Sequence, residues 1–321
     1  MKSRKKDAAA IGAKFRDLKT TFYSNGKLLL TGEYVVLDGA LSLALPTQFG
    51  QYLHISPGEN KQIHWKSFDS DKTLWFEDVL LFNEIITKKD FGIELGIKNT
   101  LVEILHQAFL QNPDFINNSE GYFITTELTF PRLWGLGTSS TLINNIAQWL
   151  NIDAFELLHK SFGGSGYDIA CAQNDTPITY QLTNQTPQVT SVNFRPDFAS
   201  HLYFVYLNQK QSSKTAISNY YNKQPRIEKT VTDISSITNS VLKTETLSEF
   251  THLLEKHEAL LSKILETATV KESLFEDFSG TLKSLGAWGG DFVLAVSEKD
   301  PTNYFKEKGY TTILPYVEMI K

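Results

Sequence analysis

The 321-residue chain carries 31 basic and 36 acidic side chains, with 41% hydrophobic and 21% charged residues. That composition supports a sizeable core, the length suits two domains, and the acidic balance excludes a general nucleic-acid binder, whose domain is normally basic. The charge is uneven: residues 1–20 hold seven basic and two acidic side chains, leaving 24 and 34 in the rest, so a ligand rich in phosphate needs a local site. No apolar run approaches the roughly 20 residues of a membrane-spanning helix, so no membrane partner is expected. No secretory-type apolar core lies near residue 1. Cys171 is the single cysteine, which excludes an intrachain disulfide and thiolate-built metal sites and fits a cytoplasmic setting.

In chain order, residues 1–20 read as a basic, disordered or non-native leader, with a transit peptide as the other reading. Lys27–Thr31 reads as a strand, and Tyr34–Leu37 leads into Asp38-Gly39, a type I′ hairpin signal. Leu41, Leu43 and Leu45 alternate as in a half-buried strand, and further pieces at Tyr52–Ile55, Ile63–Trp65 and Leu74–Phe76 complete what reads as a β-meander. Helical spacing takes over at Asn99–Leu110, and period two returns from Tyr122 to Phe130. After a glycine turn, Leu142, Ile143, Ile146, Trp149 and Leu150 mark a second helix, and Ala154–Lys160 a third. Residues 181–200, rich in Thr, Asn, Gln and Pro, place a domain boundary near 190, giving domains at 21–190 and 191–321. Leu202–Leu207 is a strand, residues 215–278 are mostly helical, and Phe292–Val296 is a late strand.

Three segments are suited to chemistry. Pro131–Ser140 joins a strand to an amphipathic helix through Gly135 and Gly137, and ends in Thr138, Ser139 and Ser140. Glycine lets amides approach an anion, and a helix start adds amides without intrahelical partners and the positive end of its dipole, so this is a phosphate cradle or an ordinary serine-capped turn. No GxxxxGK[ST] loop is present. Gly163–Ala170 delivers Asp168 after a tight glycine turn, where it either accepts a proton from a substrate hydroxyl or caps a helix. Gly286–Asp291 precedes the late strand, and its small residues suit either a bound ligand or a plain turn.

Taken together, these segments resemble the GHMP kinases, the superfamily of galactokinase, homoserine kinase, mevalonate kinase and phosphomevalonate kinase. The resemblance covers about residues 22–296. Ser24–Tyr34 matches the first motif, Pro131–Ser139 the PxxxGLGSS phosphate loop, Gly164–Asp168 the GSGxD turn of the mevalonate branch, and Gly286–Asp291 the third motif. It implies an α+β fold of two lobes, an N-terminal ribosomal-protein-S5-domain-2-like lobe and a C-terminal ferredoxin-like lobe, with ATP and acceptor meeting between them. It also implies the cofactors ATP and Mg²⁺, a small-molecule substrate and, as one assembly it allows, a homodimer.

The resemblance assigns Gly135, Leu136, Gly137, Thr138, Ser139 and Ser140 to the ATP phosphates, Ser139 also to Mg²⁺, and Asp168 and Lys27 to catalysis. Glu156 lies near the spacing of a Mg²⁺-binding glutamate, though out of register. Glu33, Tyr34, Arg132, Gly166, Lys214 and Gly289 are candidate substrate contacts, and Arg195 and Lys210 are further cations for a phosphorylated acceptor. The chain departs from the pattern at Ser24-Asn25, where the family has Ala-Pro, and at Trp288, where it has glycine. Gly32–Leu37 looks more like phosphomevalonate kinases than mevalonate kinases. The implied function is transfer of the ATP γ-phosphoryl group to a mevalonate-like acceptor, phosphomevalonate favoured. The alternatives are diphosphomevalonate decarboxylase and a non-catalytic ligand sensor on the same fold.

Overall fold

The computed structural model describes residues 19–209, 220–221, 227–286, 288 and 290–321. The fold is α+β, and its residues cluster into two compact units, each discontinuous in sequence. Of the described residues, one unit holds those within 19–24, 50–131 and 138–169, and the other those within 25–49, 132–137 and 170–321. Strand β1 (Thr20–Thr31) pairs with β2 (Ser42–Pro57), and both strands contribute residues to each unit.

In the first unit, β3 (Gln62–Phe68) pairs antiparallel with β4 (Leu74–Leu81). Helix α1 (Gly96–Gln111) then leads to β5 (Gly121–Leu128), which pairs parallel to β3 and antiparallel to the second half of β2, Gln51 facing Leu128 and Pro57 facing Tyr122. The strand order is thus β4-β3-β5-β2, and the meander expected from the sequence is interrupted. The crossover helix buries Leu101, Val102, Ile104, Leu105 and Ala108, and it returns the chain parallel to β3.

Helices α2 (Thr138–Leu150) and α3 (Ala154–Ser161) complete this layer. Ile143, Ile146, Ala147 and Leu150 of α2, Leu157 and Leu158 of α3, and Leu53, Ile63, Trp65 and Leu80 of the sheet share one core. Trp65 is a core residue whose indole N–H donates to Ser67 Oγ at 3.0 Å. Asp153 starts α3, its carboxylate accepting from the amides of Phe155 and Glu156 at 2.8 and 3.1 Å. Helix α4 (Tyr167–Gln173) follows the glycine turn.

In the second unit, the first half of β2 pairs with β6 (Ile178–Thr183), and β6 with β7 (Thr186–Ser191). Asn184 and Gln185 turn that hairpin with φ of 49° and 62°, as a type I′ turn requires. A four-stranded antiparallel sheet has the order β11-β8-β10-β9, formed by β8 (Leu202–Tyr206), β9 (Thr281–Ser284), β10 (Phe292–Val296) and β11 (Ile313–Pro315). Its core includes Val205, Leu282, Val293, Phe275, Phe278 and Phe305. Helices α5 (Ile227–Val241) and α6 (Leu247–Leu265) belong to the same unit. Among the described residues no helix is long and apolar enough to cross a membrane.

The Asp38-Gly39 pair does not turn a hairpin. Val35–Asp38 is a turn of 3-10 helix, and Gly39, at φ 88°, closes it by donating its amide back to Val36. Left-handed glycine serves both a hairpin and a helix end. Here burial of Val35 and Val36 selects the helical turn.

Candidate functional site

The second unit brings β1 against the glycine loop. The backbone N–H of Lys27 donates to Leu136 O at 3.0 Å, and its Nζ donates to Gly135 O at 3.0 Å. Gly26 permits this approach: a Cβ there would lie 2.6 Å from Thr47 Oγ1 and 3.0 Å from Leu136 O. Leu136 is fully buried and pins the loop, and Arg132–Trp134 forms a 3-10 turn with the Arg132 side chain exposed. The ring of Trp134 meets Phe49 and Phe292 edge-on at 5.5 and 5.4 Å, and Leu133 O accepts from the Tyr206 hydroxyl at 3.1 Å.

Gly135 turns at φ 72°, and a Cβ on it would lie 2.4 Å from the Asp291 carboxyl carbon. Only glycine fits both the left-handed backbone and that contact. The chain then enters α2 at Thr138, so the first-turn amides and the hydroxyls of Thr138, Ser139 and Ser140 follow directly on the loop. Ser139 is exposed, whereas Ser140 is buried.

In the first unit, Gly163, Gly164 and Gly166 all have positive φ before α4, and Gly166 is buried. Asp168 lies in the first turn of α4 rather than at its cap, and Oδ1 accepts from the Ile169 amide at 3.1 Å. Its charge there complements the positive helix end. Glu156 is exposed on α3 and pairs with Lys160 at 2.6 Å across one helical turn. Among the described residues no group of three His, Cys, Asp or Glu side chains is arranged to hold a metal ion. Lys210, Lys214 and Gly289 lie outside the described residues, and Arg195 is exposed.

The two departures in the first motif have structural partners. In the first unit, Ser24 Oγ donates to Asn145 Oδ1 and accepts from Asn144 Nδ2, both at 2.8 Å, while Asn145 Nδ2 donates to Gln51 O at 2.9 Å. In the second unit, Asn25 Nδ2 donates to Asn174 O at 2.8 Å and to Asp175 Oδ1 at 2.9 Å. Sequence inspection could find this network only through the unusual Asn144-Asn145 pair on the otherwise apolar side of α2, both of which are buried.

Sequence reasoning missed a buried ionic cluster around Glu33, which is itself only 1% exposed. Lys283 Nζ donates to Glu33 Oε1 at 2.5 Å and lies 3.4 Å from Glu258 Oε2. Glu258 Oε1 accepts from both the amide and the hydroxyl of Ser284, at 3.1 and 2.6 Å. His257 Nε2 accepts from the Gly32 amide at 2.9 Å, so the ring is neutral and its 3.5 Å approach to Glu33 is no ion pair. Burial, with Lys283 second, drives the His257 pKa well below its ordinary value. Burial likewise pushes the Glu33 carboxyl up to about 7, against the pull of Lys283.

Tyr34, next to Glu33, has the unusual backbone φ 63°, ψ −51°. Such a conformation costs about 1–3 kcal/mol and persists only where surroundings impose it. Its hydroxyl accepts from the Trp288 amide at 3.0 Å, and burial lifts its pKa to about 12, so it stays protonated. Glu33 and Tyr34, expected as substrate contacts, are both engaged inside the protein.

The architecture built from these elements is the α+β GHMP kinase fold. No family model matches the chain, and no curated protein matches it in sequence. Among solved structures, it is similar to the phosphomevalonate kinase of Streptococcus pneumoniae in complex with phosphomevalonate and AMPPNP, at 15% identity and TM-score 0.68, covering 92% of this chain and 99% of that one. It is similar to the mevalonate kinase of Methanococcus jannaschii at 18% identity and TM-score 0.66, covering 93% and 97%. It is also similar to the galactokinase of Lactococcus lactis complexed with galactose, at 13% identity and TM-score 0.62, covering 94% and 92%. At these identities the likeness is one of fold.

Proposed function

We propose that the protein is an ATP-dependent small-molecule kinase of the GHMP type, with phosphomevalonate as the favoured acceptor. The observation that carries this reading is the glycine loop held by Lys27 through two hydrogen bonds and opening into α2. Phosphoryl transfer asks a protein for positioning and charge neutralisation rather than covalent chemistry. Loop and first-turn amides supply the first requirement, and the Lys27 ammonium contributes to the second.

In this reading the residues Gly135–Ser140 cradle the ATP phosphates. Mg²⁺ is bound chiefly through nucleotide phosphates and one or two protein oxygens. The exposed hydroxyl of Ser139 at the start of α2 fits such a ligand. When bound, the ion would neutralise charge on the transferring group. Asp168 orients the acceptor oxygen and takes its proton where the acceptor carries one. The order Gly32-Glu33-Tyr34-Val35-Val36-Leu37 supports the phosphomevalonate branch. Among the described residues the indole N–H of Trp288 is buried with no hydrogen-bond partner, and it gives the third turn a donor suited to an oxygen-rich acceptor.

The test is a coupled ADP-release screen against phosphomevalonate, mevalonate, homoserine and simple sugars, with Mg²⁺ and ATP. Turnover with phosphomevalonate ahead of the others is expected. CO₂ release from diphosphomevalonate would replace this reading with the decarboxylase. ATP binding without phosphorylation of any acceptor would replace it with the sensor.

A further inference from the structure

The Glu33–Lys283 pair is buried on both sides, with Lys283 wholly inaccessible. Burying a lysine with a carboxyl is costly, and hydrophobic residues of similar volume often serve stability as well. What the pair can supply is geometry. Lys283 lies on β9, three residues before Gly286, where the third glycine turn begins. Its Nζ donates to Glu33 Oε1 and to Ser284 O, each at 2.5 Å. Glu33 in turn sits between two restrained neighbours. Gly32 gives its amide to His257, and Tyr34 holds a positive-φ backbone while its hydroxyl accepts from the Trp288 amide inside the third turn.

Two links therefore join the end of β1 to the β9–β10 connection: Glu33–Lys283 at its root and Tyr34–Trp288 near its tip. Consecutive residues make the two links, so the first constrains the second. The Tyr34 ring also rests on Tyr220 at 5.6 Å, and the Tyr220 hydroxyl donates to Asp38 at 2.7 Å, which braces the Val35–Asp38 turn that follows Tyr34.

We propose that Lys283 is a positioning residue: by gripping Glu33 it holds Tyr34 at its positive φ and thereby places Trp288, in the third glycine turn, through the Tyr34 hydroxyl and the Trp288 amide. The kinetic consequence rests on the kinase reading above. The structural consequence does not.

The primary test is amide hydrogen exchange on the full chain, resolved to the peptide containing Trp288. Tyr34→Phe removes the acceptor and should speed Trp288 exchange at least tenfold. Lys283→Met should produce a comparable increase, and the double variant should be no faster than either single one. Protection in β8 and β10 should persist, because a merely structural lysine would loosen those strands too. Glu33→Gln, which keeps an acceptor for Lys283, should exchange near the wild-type rate, and Glu33→Ala should match Lys283→Met. If Lys283→Met does not fold, the Glu33 pair decides.

Wild-type exchange at Trp288 in folded Lys283→Met or Glu33→Ala overturns the proposal, as do effects that multiply in the double variant. In the ADP-release assay with phosphomevalonate and mevalonate, Lys283→Met should raise the acceptor KM at least fivefold and leave the ATP KM within twofold. Should the wild type phosphorylate neither, the kinase reading falls while the exchange result still decides the positioning role.

Discussion

Replacing Glu33 by glutamine isolates what its buried carboxyl does to stability. Burial holds this group at about 7 in the folded state against 4.5 for an ordinary glutamate. Between those values the folded chain keeps a proton that the unfolded chain has released, so unfolding free energy falls as pH rises. Each pH step across the window costs up to 1.36 kcal/mol, and the whole window about 3 kcal/mol. The stability is complete below pH 4.5 and lost as pH climbs through 7. His257 works in the opposite sense. Its depressed pKa means that the unfolded chain binds the extra proton below 6.5, so its contribution is lost as pH falls.

The two slopes oppose each other in the wild type. The difference between Glu33→Gln and wild type cancels the histidine and exposes the glutamate. Urea unfolding followed by circular dichroism at pH 5, 6, 7 and 8 measures that difference. The variant should gain on the wild type by about 2–3 kcal/mol between pH 5 and pH 7 and level off from there to pH 8. A difference independent of pH, or one that moves against the variant as pH rises, would show that Glu33 is ionised throughout and would refute the reasoning.

Three further outcomes are expected. Asp168→Ala should lower kcat at least a hundredfold in the ADP-release assay and leave ATP binding by calorimetry nearly intact; wild-type turnover would remove Asp168 from catalysis. Gly135→Ala should weaken ATP binding at least tenfold, because a Cβ would meet the Asp291 carboxyl at 2.4 Å on a backbone turned to φ 72°; unchanged affinity would place the phosphates elsewhere. Ser24→Ala should cost about 1–3 kcal/mol in thermal or chemical unfolding, since it strips a hydrogen-bond partner from each of two buried asparagines, Asn144 and Asn145.

The glycine loop was legible because its signal is local. Gly135, Gly137 and a hydroxyl run before an amphipathic helix act through backbone geometry that neighbouring residues determine. The same holds for α2 and α3, whose apolar spacing marks the faces that are buried. Asp38-Gly39 shows the limit of such signals. A left-handed glycine serves two different turns, and the burial of Val35 and Val36 chose between them. The interrupted meander is a similar case. Period two identifies β5 as a strand but carries no information on its neighbours, and β5 pairs with both β2 and β3.

By itself, then, the sequence determined the glycine turns and the order of the motifs, which depend on residues close together in the chain, and it carried the α+β class only through the family those motifs resemble. Only the tertiary structure decided that Glu33 belongs with Lys283 and His257, residues 250 and 224 positions away, and that Tyr34 reaches Trp288. A buried charge leaves no local periodicity. Its partner is selected by the desolvation penalty and by whichever strand and helix the fold carries to it.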